Sequence, residues 1–515
     1  MKAAPQRRAW LEAAAVAALG ALQTASFVVT SMWWLTLLCT AALVWRIDAT
    51  TPRRAALLAW CYGTAWLCAG TWWLFISMHR YGGMPAPLAA LAVLALCAAL
   101  SLYMAAAAAL YARWRSGNAL GDAGLFAALW LLAELARELI FTGFPWLASG
   151  YSQVDSLLAV LAPWIGVHGI GAVLAFVSVL TVREVFSETR GLRRRLPAAA
   201  TVVTLVALAW LGPHDFTQPS GTLSVSLLQS NVAQDEKFNI ERLPQSLAWA
   251  ASSLTASQAD LVLGPETLIP LLPSQLAEVA PELWPALRSR FAGAPQAALV
   301  GMPLGDLERG YSNSVVSLSD VLPGIGYRYD KHHLVPFGEF IPTGFRWFTQ
   351  LMEIPLGDFA RGRLDAPSFD VRGERVAPNI CYEDLFGAEL AVRFADAAQA
   401  PTVLANVSNI GWFGDTTAIA QHLNISRMRT LELQRPMLRA TNTGATAIID
   451  HRGVVTARLA PFTQGVLDGR VQGRVGNTPF ADWASRCGQW PLIVLALSVV
   501  LGLSVLPRPV ALGQR

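Results

Sequence analysis

The chain has 515 residues, of which 54% are hydrophobic and only 14% are charged, and its formal net charge is +4. This composition lies far from the soluble average and the length exceeds what one ordinary core holds, so a membrane protein with more than one domain is predicted. The basic residues fall between apolar stretches and form no continuous stripe, which argues against a nucleic-acid partner.

Apolar stretches long enough to cross a bilayer occupy the first part of the sequence. The polar and basic residues 1–8 precede the first stretch, and a signal peptide is the alternative for this start. A membrane span is favoured because the stretch is long enough and further apolar stretches follow at once. We predict eight spans, seven before a long polar region and one after it, at about 9–29, 33–46, 55–78, 87–112, 121–141, 157–182, 196–212 and 490–506.

Basic residues are distributed unequally between the loops. The odd-numbered loops hold little beyond Arg80 and Arg137. Because Lys and Arg are retained on the cytoplasmic side, we expect both termini in the cytoplasm and the polar region on the opposite face. The basic residues of the termini and the even-numbered loops are Lys2, Arg7, Arg8, Arg46, Arg53, Arg54, Arg113, Arg115, Arg183, Arg190, Arg193, Arg194, Arg195, Arg508 and Arg515.

The region from Thr222 to about Val471 has a globular composition. Short β-type stretches alternate with helical patterns, notably Ala418–Leu433, which predicts an α/β sandwich around one core. The expected division is a transmembrane bundle at 1–215, an extracytoplasmic domain at 216–477, and a last span with a cytoplasmic tail at 478–515. The predicted strands are Leu223–Gln229, Asp260–Pro265, Ala297–Met302, Ser314–Leu318, Arg375–Ile380, Thr402–Val407 and Thr446–Asp450.

Cys381 stands at the end of the buried stretch Val376–Ile380, where a nucleophile would sit. Core packing is the alternative, since cysteine is among the most buried residue types. Neither a disulfide framework nor a cysteine-rich metal site is predicted, because the other cysteines lie in or beside apolar stretches. These are Cys39, Cys61, Cys68, Cys97 and Cys487.

Two more stretches deliver polar residues that would serve a thiol. Glu266 ends the apolar stretch Leu261–Pro265, and Lys331 lies in the stretch Tyr329–Glu339. A thiol is mostly protonated at neutral pH, so it needs a base, and Glu266 would take its proton. Attack on a carbonyl puts negative charge on oxygen, which Lys331 and the Tyr382 amide would receive. Alone, Glu266 could equally be a solvated strand end.

Glu266, Lys331 and Cys381, at separations of 65 and 50 residues, resemble the Glu-Lys-Cys triad of the nitrilase superfamily, whose members carry it on an α-β-β-α sandwich. A closer resemblance, to the bacterial apolipoprotein N-acyltransferases, covers nearly the whole chain. It rests on the stretches Phe144–Trp146, Gly150–Ser152, Lys331–Pro342, Ile380–Glu383 and Trp412–Gly414.

The resemblance implies a cofactor-free enzyme of the bacterial inner (plasma) membrane with a periplasmic nitrilase-like domain. It would carry an acyl chain as a thioester on Cys381, from a phospholipid to the diacylglyceryl-cysteine of an apolipoprotein, as the last step of lipoprotein maturation. Phosphatidylethanolamine is the expected donor. One alternative is a membrane-anchored amidase, although a soluble amide gives no reason for spans on both sides of the domain. The other is a non-catalytic assembly or transport protein, which would be expected to have lost a triad residue.

The resemblance also implies supporting residues. Glu339 and Glu383 match acidic positions that support the triad, with a structural ion pair as the alternative. Asn313 and Trp412 match positions near the active site and its lipid side, with core packing as the alternative. His332 and His333 predict no metal, because adjacent histidines do not converge on one ion and no other cluster has ligand spacing.

Phe238 and Trp347 complete the predicted substrate-contacting residues. Trp347 belongs to the apolar stretch 345–354, which predicts either a buried helix or an amphipathic arm that dips into the membrane interface. Phe238 stands where the family commonly has Trp, Ile410 stands where it commonly has Asp, and the first periplasmic turn lacks the usual Phe-x-Pro. These departures concern substrate loops and leave the triad intact.

Glu134 and Glu138 lie one helical turn apart at the end of the fifth predicted span, with Arg137 between them. Ionisable groups are costly inside a membrane. An interfacial helix end is the simpler prediction for these residues, and contact with lipid headgroups is the alternative.

Overall fold

The structure is a computed structural model that describes residues 3–185, 207, 210–237, 239–306, 308, 310–319, 326–342 and 359–505. It divides into two compact units. The first, which we call the helical unit, comprises Met1–Trp72, Pro87–His214 and Gln489–Arg515, and the second, which we call the sandwich unit, comprises Trp73–Ala86 and Asp215–Gly488. The three-part division at 215 and 477 stays a prediction.

The helical unit is built from long apolar helices whose starts follow from local sequence. Thr51 accepts a hydrogen bond from the Arg54 N–H at the start of one helix, and Asn118 accepts one from Gly121 at the start of another. Such side-chain caps satisfy N–H groups that have no partner inside the helix. The helices are Ala3–Leu22, Trp33–Ile47, Pro52–Thr71, Ala86–Trp114, Ala119–Leu139, Ala162–Val185 and Trp490–Val505.

Among the described residues, four stretches are long and apolar enough to cross a membrane, and a fifth counts if the bent pair Pro479–Cys487 and Trp490–Val505, at 90°, is one span. The predicted first and third spans are helical at Ala3–Leu22 and Pro52–Thr71 but are not among these stretches. Both helices carry charged residues in their N-terminal halves, which lowers their mean hydropathy. The predicted span 196–212 lies mostly outside the described residues. The four stretches are Thr30–Ile47, Ala86–Trp114, Ala119–Thr142 and Leu157–Arg183.

A cluster of ionisable residues is buried in the helical unit. His168 Nε2 lies 2.6 Å from Glu138 Oε2, and Gln489 Nε2 donates to both oxygens of Glu138. Glu134 Oε1 accepts from the Ser149 N–H at 2.7 Å, and its Oε2 lies 3.7 Å from His168 Nδ1. All five residues are buried. The prediction of an interfacial helix end for Glu134 and Glu138 is therefore wrong, because both carboxylates face partners inside the unit.

The chain after the helix Ala119–Leu139 turns back through an irregular segment. Phe141 has φ 55° and Gly143 has φ 84°, and a Cβ at Gly143 would lie 1.7 Å from the Glu138 carbonyl oxygen, so only glycine fits there. Arg137 Nη1 donates to the Trp146 carbonyl at 2.8 Å. The charged face of the helix Ala119–Leu139 thus holds the returning segment.

The sandwich unit contains two six-stranded sheets, with strand orders β12-β1-β2-β3-β4-β5 and β11-β10-β9-β8-β7-β6. Strands β1 to β3 are parallel neighbours in one sheet and β7 to β9 in the other. The strands are β1 Gln218–Gln229, β2 Leu261–Leu263, β3 Ala297–Asp306, β4 Gly310–Ser317, β5 Arg328–Asp330, β6 Phe369–Val371, β7 Glu374–Ile380, β8 Val403–Ser408, β9 Met437–Thr441, β10 Ala447–Ile449, β11 Val455–Arg458 and β12 Gly465–Val475.

Alternation along the strands produces four layers. In β2, Leu261 and Leu263 pack in the core shared by the two sheets, whereas Val262 packs in a second core with helical residues such as Leu247. A third core lies on the other sheet, where Leu404 meets its helices. The arrangement is the predicted α-β-β-α sandwich. Its helices include Leu243–Ala256, Pro273–Val279, Leu283–Phe291, Gly387–Ala391, Ala418–Leu433 and Pro479–Cys487.

All seven predicted strands are present, with ends shifted by a few residues, and the helix Ala418–Leu433 has the predicted bounds. Five strands were not predicted: β5, β6, β9, β11 and β12. Two of them are only three residues long, and β12 carries outward-facing Asp468, Arg470 and Gln472 between its buried positions, which lowers its mean hydropathy.

Candidate active site

The three predicted triad residues meet at the ends of three strands. Glu266 lies in the loop that begins after β2, Lys331 follows β5 directly, and Cys381 follows β7 directly. Lys331 Nζ lies 3.6 Å from Glu266 Oε1, and both groups act electrostatically on the Cys381 thiol. Residues 65 and 50 positions apart in sequence therefore share one site.

Cys381 occupies a turn that ordinary side chains rarely adopt. Its φ is 53°, in the left-handed region, at the first residue of the turn Cys381–Leu385. The carbonyl of Cys381 accepts from Asn406 Nδ2 at 3.2 Å and lies 3.3 Å from His422 Nε2. The side chains of Asn406 and His422 thus hold the backbone of the strained turn, while Cys381 stays partly exposed.

A buried polar network supports this turn from below. Arg439 can only donate, so its Nη2, at 3.1 Å from His422 Nδ1, makes that nitrogen the acceptor. His422 Nε2 then carries the proton and donates to Asp384 Oδ1 at 2.8 Å. Arg439 Nη1 also lies 3.2 Å from Asp384 Oδ2, and all three residues are fully buried. Asp384 comes three residues after Cys381, so the network fixes the far end of the turn.

Glu339 is the direct partner of Lys331, with Nζ and Oε1 2.9 Å apart. Asn313 Nδ2 donates to Glu339 Oε1 at 2.9 Å and to Glu266 Oε1 at 2.7 Å, so one amide bridges the two carboxylates. The Val335 N–H donates to the other oxygen of Glu339. The contacts of Asn313 are thus with the triad carboxylates, and a contact between Asn313 and substrate stays a prediction.

Glu383 joins the strand of the lysine to the strand of the cysteine. It accepts from the Tyr329 hydroxyl at 2.7 Å, the His332 N–H at 2.7 Å and the Ile380 N–H at 2.6 Å. Burial raises the pKa of Glu383 above its ordinary value, although these donors oppose the shift. Its contacts are with backbone N–H groups and a phenol hydroxyl, and its support of the triad stays a prediction.

The electrostatics of the site keep Lys331 charged and the thiol protonated. Burial alone would lower the pKa of Lys331, but Glu339 and Glu266 more than offset it, so the pKa stands above its ordinary value. Burial first, and the Glu266 carboxylate second, raise the pKa of Cys381 to about 12, with Lys331 opposing. A thiol with such a pKa is a poor nucleophile at neutral pH unless a neighbouring base takes its proton during attack.

Lys237 is a second buried lysine beside Glu266. Its Nζ donates to the Glu266 carbonyl at 3.1 Å and to Thr267 Oγ1 at 2.6 Å. Burial lowers the pKa of Lys237 to about 8, and the charges of Glu266 and Cys381 offset only part of the shift. Thr267 has φ 50°, so the lysine holds a strained turn that follows the proposed base.

The remaining predicted residues are placed as follows. Tyr382 is buried directly after Cys381, and its ring contacts those of His333 and Phe386. Trp412 lies on the turn Ile410–Phe413 with 40% of its surface exposed, and its ring meets Tyr81 edge-on at 5.6 Å. Phe238, Trp347 and the stretch 345–354 lie outside the described residues.

His332 and His333 point to different partners. His332 Nδ1 lies 2.8 Å from the Gly362 carbonyl, whereas His333 Nδ1 lies 3.0 Å from Glu389 Oε1 and its ring stacks on Phe386. In the part of the chain that the structure describes, no group of three or more His, Cys, Asp or Glu residues is arranged to hold a metal ion.

Sequence reasoning missed Lys237, Asn409, His422 and Arg439. One signal could have found Asn409: it follows the apolar strand β8 directly, as Cys381 follows the neighbouring strand β7, and parallel strands bring their carboxyl ends to one edge. Its backbone N–H donates to Glu266 Oε2 at 2.8 Å. The others lie in a loop, a helix and an unpredicted strand.

Comparison with known proteins gives matches over both parts of the sequence. A family model described as the apolipoprotein N-acyltransferase N-terminal domain matches residues 19–180, and the carbon-nitrogen hydrolase model matches residues 224–480. A carbon-nitrogen hydrolase superfamily structure from Xanthomonas campestris, with an arsenic adduct in its active site, is 18% identical with a TM-score of 0.36, covering 52% of this chain and 96% of that one.

Curated relatives match over nearly their whole length. An apolipoprotein N-acyltransferase of Verminephrobacter eiseniae is 52% identical over 478 residues, covering 89% of this chain and 89% of that protein. A protein of the same name from Ralstonia nicotianae is 44% identical over 505 residues, covering 97% of this chain and 94% of that protein. The chain belongs to the apolipoprotein N-acyltransferase family.

Proposed function

We propose that this chain transfers an acyl chain from a phospholipid to the α-amino group of the diacylglyceryl-cysteine at the N-terminus of an apolipoprotein, by way of a thioester on Cys381. The observation that carries the proposal is the site itself. A partly exposed thiol on a strained turn lies beside a carboxylate and a buried ammonium. Family membership supplies the substrate class.

In the first half-reaction, Glu266 takes the proton of Cys381 while the sulfur attacks an ester carbonyl of the phospholipid. The carbon–sulfur bond forms, and negative charge develops on the carbonyl oxygen, where the Lys331 ammonium and the Tyr382 N–H stabilise it. The carbon–oxygen ester bond then breaks. The leaving glycerol oxygen recovers the proton from Glu266, which gives a lysophospholipid and the acyl-enzyme.

In the second half-reaction, the neutral α-amino group of the apolipoprotein attacks the thioester carbonyl. The carbon–nitrogen bond forms, the carbon–sulfur bond breaks, and Glu266 passes the proton lost by the amine to the Cys381 sulfur. An α-amino group has an ordinary pKa near 8, so a useful fraction is neutral at physiological pH. Two substrates use one site in turn, which gives ping-pong kinetics.

Glu339 and Asn313 would keep the Lys331 ammonium and the Glu266 carboxylate at fixed positions relative to each other. Glu339 lies closer to Lys331 than Glu266 does, at 2.9 Å against 3.6 Å. The lysine is therefore compensated without the proposed base, which stays available for the proton. Glu383 would hold the lysine strand and the cysteine turn at a fixed separation through its backbone donors.

The membrane arrangement is part of the proposal. Eight spans, cytoplasmic termini, a periplasmic sandwich unit and an inner-membrane location are supported by the alternation of basic loops in the sequence. An extracytoplasmic reporter fused after Ser220 should be active and one fused after Arg195 inactive. The reverse pattern would overturn the orientation. Phosphatidylethanolamine is the donor we propose, with Trp412, Phe238 and Trp347 at the lipid side of the site.

The acyl-enzyme gives the direct test. Purified protein incubated with phosphatidylethanolamine should gain the mass of one acyl chain on Cys381, and a diacylglyceryl-peptide should discharge it. Cys381→Ala should remain folded and gain no mass. Transfer by that variant would show that the nucleophile has been misassigned.

The same measurement separates the transferase from an amidase-like hydrolase. Thioesters react more readily with amines than with water, so the adduct should persist when the acceptor is absent. Release of free fatty acid without acceptor, at the rate of turnover with acceptor, would favour the hydrolase instead.

A further inference from the structure

One backbone N–H, that of Asn409 at the end of β8, contacts the proposed base of the site. It donates to Glu266 Oε2 at 2.8 Å. Glu266 Oε1 is occupied separately by Asn313. The position of the Asn409 peptide therefore affects the proposed base and, through it, proton transfer from Cys381.

The side chain of Asn409 caps the turn that carries Trp412. Its Oδ1 accepts from the Gly411 N–H at 3.3 Å, which starts the turn Ile410–Phe413. The Trp412 ring is 40% exposed and rests edge-on against Tyr81. A movement of the exposed ring is thus connected through Ile410 and Gly411 to the N–H that faces Glu266.

Asn442 fixes Asn409 from the next strand. Its Nδ2 donates to Asn409 Oδ1 at 3.0 Å and to the Val232 carbonyl at 2.8 Å, while its Oδ1 accepts from the Val232 N–H and the Ser230 hydroxyl. Both asparagines are almost fully buried, at 4% and 1% exposure. Every polar atom of the Asn442 amide is in use, so its orientation is determined.

A second contact joins Asn409 to the segment that contains Ser230 and Val232. The Asn409 Nδ2 donates to Gln234 Oε1 at 2.7 Å. Three residues further along the segment, Lys237 holds the Glu266 carbonyl and the Thr267 hydroxyl. The loops that bear Trp412 and Lys237 are therefore joined to each other, as well as to Glu266, by buried amide groups.

We propose that Asn409 and Asn442 are positioning residues that couple the Trp412 turn to proton transfer between Cys381 and Glu266. The inference rests on the roles proposed above for those two residues. An acyl chain that packs against Trp412 would hold the Asn409 N–H where it already lies, 2.8 Å from Glu266 Oε2, and so keep the carboxylate in position to take the thiol proton. Lipid occupancy would then stabilise the arrangement in which the thiol is activated.

Thiol activation can be measured without lipid, by the rate at which iodoacetamide alkylates Cys381 in the full-length protein, read by peptide mass spectrometry. The reagent is small, so its rate reports proton transfer and not lipid binding. The titratable groups that face Glu266 are Lys331, Lys237 and Cys381, with Glu339 reached through Asn313. None of these is altered in the variants below.

Asn442→Ala should slow alkylation about tenfold at pH 7, since the Asn409 peptide loses the partner that holds it and Glu266 is no longer kept in position toward the thiol. Trp412→Ala should slow it less. The double variant should react like Asn442→Ala alone, because both changes act through one N–H.

The matched control is Asn477→Ala, which removes a partly buried amide that bonds the Phe394 carbonyl and Asp482, away from the triad. It should lower thermal stability without slowing the alkylation of Cys381. If Asn442→Ala behaves like this control, or if the two single variants slow alkylation independently, the coupling is absent. Failure of the proposed function would be seen separately, as the lack of an acyl adduct on a wild-type Cys381 that iodoacetamide still modifies.

Discussion

Each of the two units buries a cluster of carboxylates with a cation, but the clusters differ in how they are completed. In the sandwich unit, all four oxygens of Glu266 and Glu339 accept a hydrogen bond. In the helical unit, Glu134 Oε2 and His168 Nδ1 face each other at 3.7 Å, and neither has a hydrogen-bond partner among the described residues.

This difference shows that buried charge does not by itself mark an active site. The complete set of donors in the sandwich unit fixes two carboxylates on either side of Lys331 and leaves a strained, partly exposed thiol as the reactive group. The cluster around Glu134 has no such group. The contact of Glu134 with Ser149 and the neighbouring contact of Arg137 with Trp146 hold the segment that turns back after the helix Ala119–Leu139. We expect one cluster to serve chemistry and the other to serve architecture, so substitutions should separate them.

The largest expected effect is on chemistry. Glu266→Gln keeps the shape of the side chain but removes the base, so acylation of Cys381 by phospholipid should fall by about 10²–10⁴-fold. The measurement is the rate of adduct formation by intact mass. A modest loss of melting temperature is expected, because the amide nitrogen of Gln cannot accept one of the two hydrogen bonds that Glu266 receives. A variant that acylates at the wild-type rate would exclude Glu266 as the base.

A variant of the helical cluster should show the opposite pattern. His168→Leu leaves Glu138 buried without its histidine, which should lower the free energy of unfolding by about 3–5 kcal/mol. Thermal melting in detergent measures the loss. In the fraction that remains folded, iodoacetamide should modify Cys381 at the wild-type rate. An unchanged melting temperature would mean that the cluster does not stabilise the unit.

A smaller effect is expected from crowding of the same cluster. A Cβ at Gly171 would lie 2.5 Å from Ser149 Oγ and 2.8 Å from Glu134 Oε2. Gly171→Ala should therefore destabilise the protein by about 1–3 kcal/mol, again without change in the chemistry of Cys381. Gly502→Ala is the control, because no atom lies within 4 Å of its Cβ position. Equal melting temperatures for the two variants would contradict the close packing.

The smallest expected effect is the absence of an inflection. Because burial and Glu266 raise the pKa of Cys381 to about 12, the thiol keeps its proton through pH 10. The alkylation rate of Cys381 should show no inflection near pH 9, where a thiol of ordinary pKa shows one. An inflection of the Cys381 rate near pH 9 would mean that the thiol ionises at its ordinary pKa.

Sequence reasoning reached those features that depend on one strand and the residue after it. Apolar runs that end in Glu266 and Cys381 predicted their strands, and the structure brings both residues to Lys331. Their catalytic roles stay predictions. Strand β9 was missed because its central Arg439 looks solvent-exposed in sequence. It is buried only because Asp384 and His422, from elements far away in sequence, receive it.

The same limit explains why the prediction of an interfacial helix end for Glu134 and Glu138 was wrong. Glu134 and Glu138 at a helix end suggest an interface, because their partners come from elsewhere in the chain, His168 from another helix and Gln489 from the turn before the last helix. Asn409 was missed for the same reason, since its contact is with Glu266, 143 residues earlier. Pattern reasoning locates a polar residue on an element but does not identify its partner on another.

The segment Trp73–Ala86 has a consequence for how the protein is made. It belongs to the sandwich unit, where Trp73 Nε1 donates to Gln421 Oε1, 348 residues later, and the Trp73 ring packs on Phe413 at 4.3 Å. At ordinary rates of synthesis the segment waits roughly 20–70 s for that partner. The sandwich unit is therefore not formed by one continuous stretch of the sequence. A fragment that begins at Asp215 would lack the tryptophan beneath the Trp412 turn, and a peptide of residues 73–86 added in trans is the natural means of restoring it.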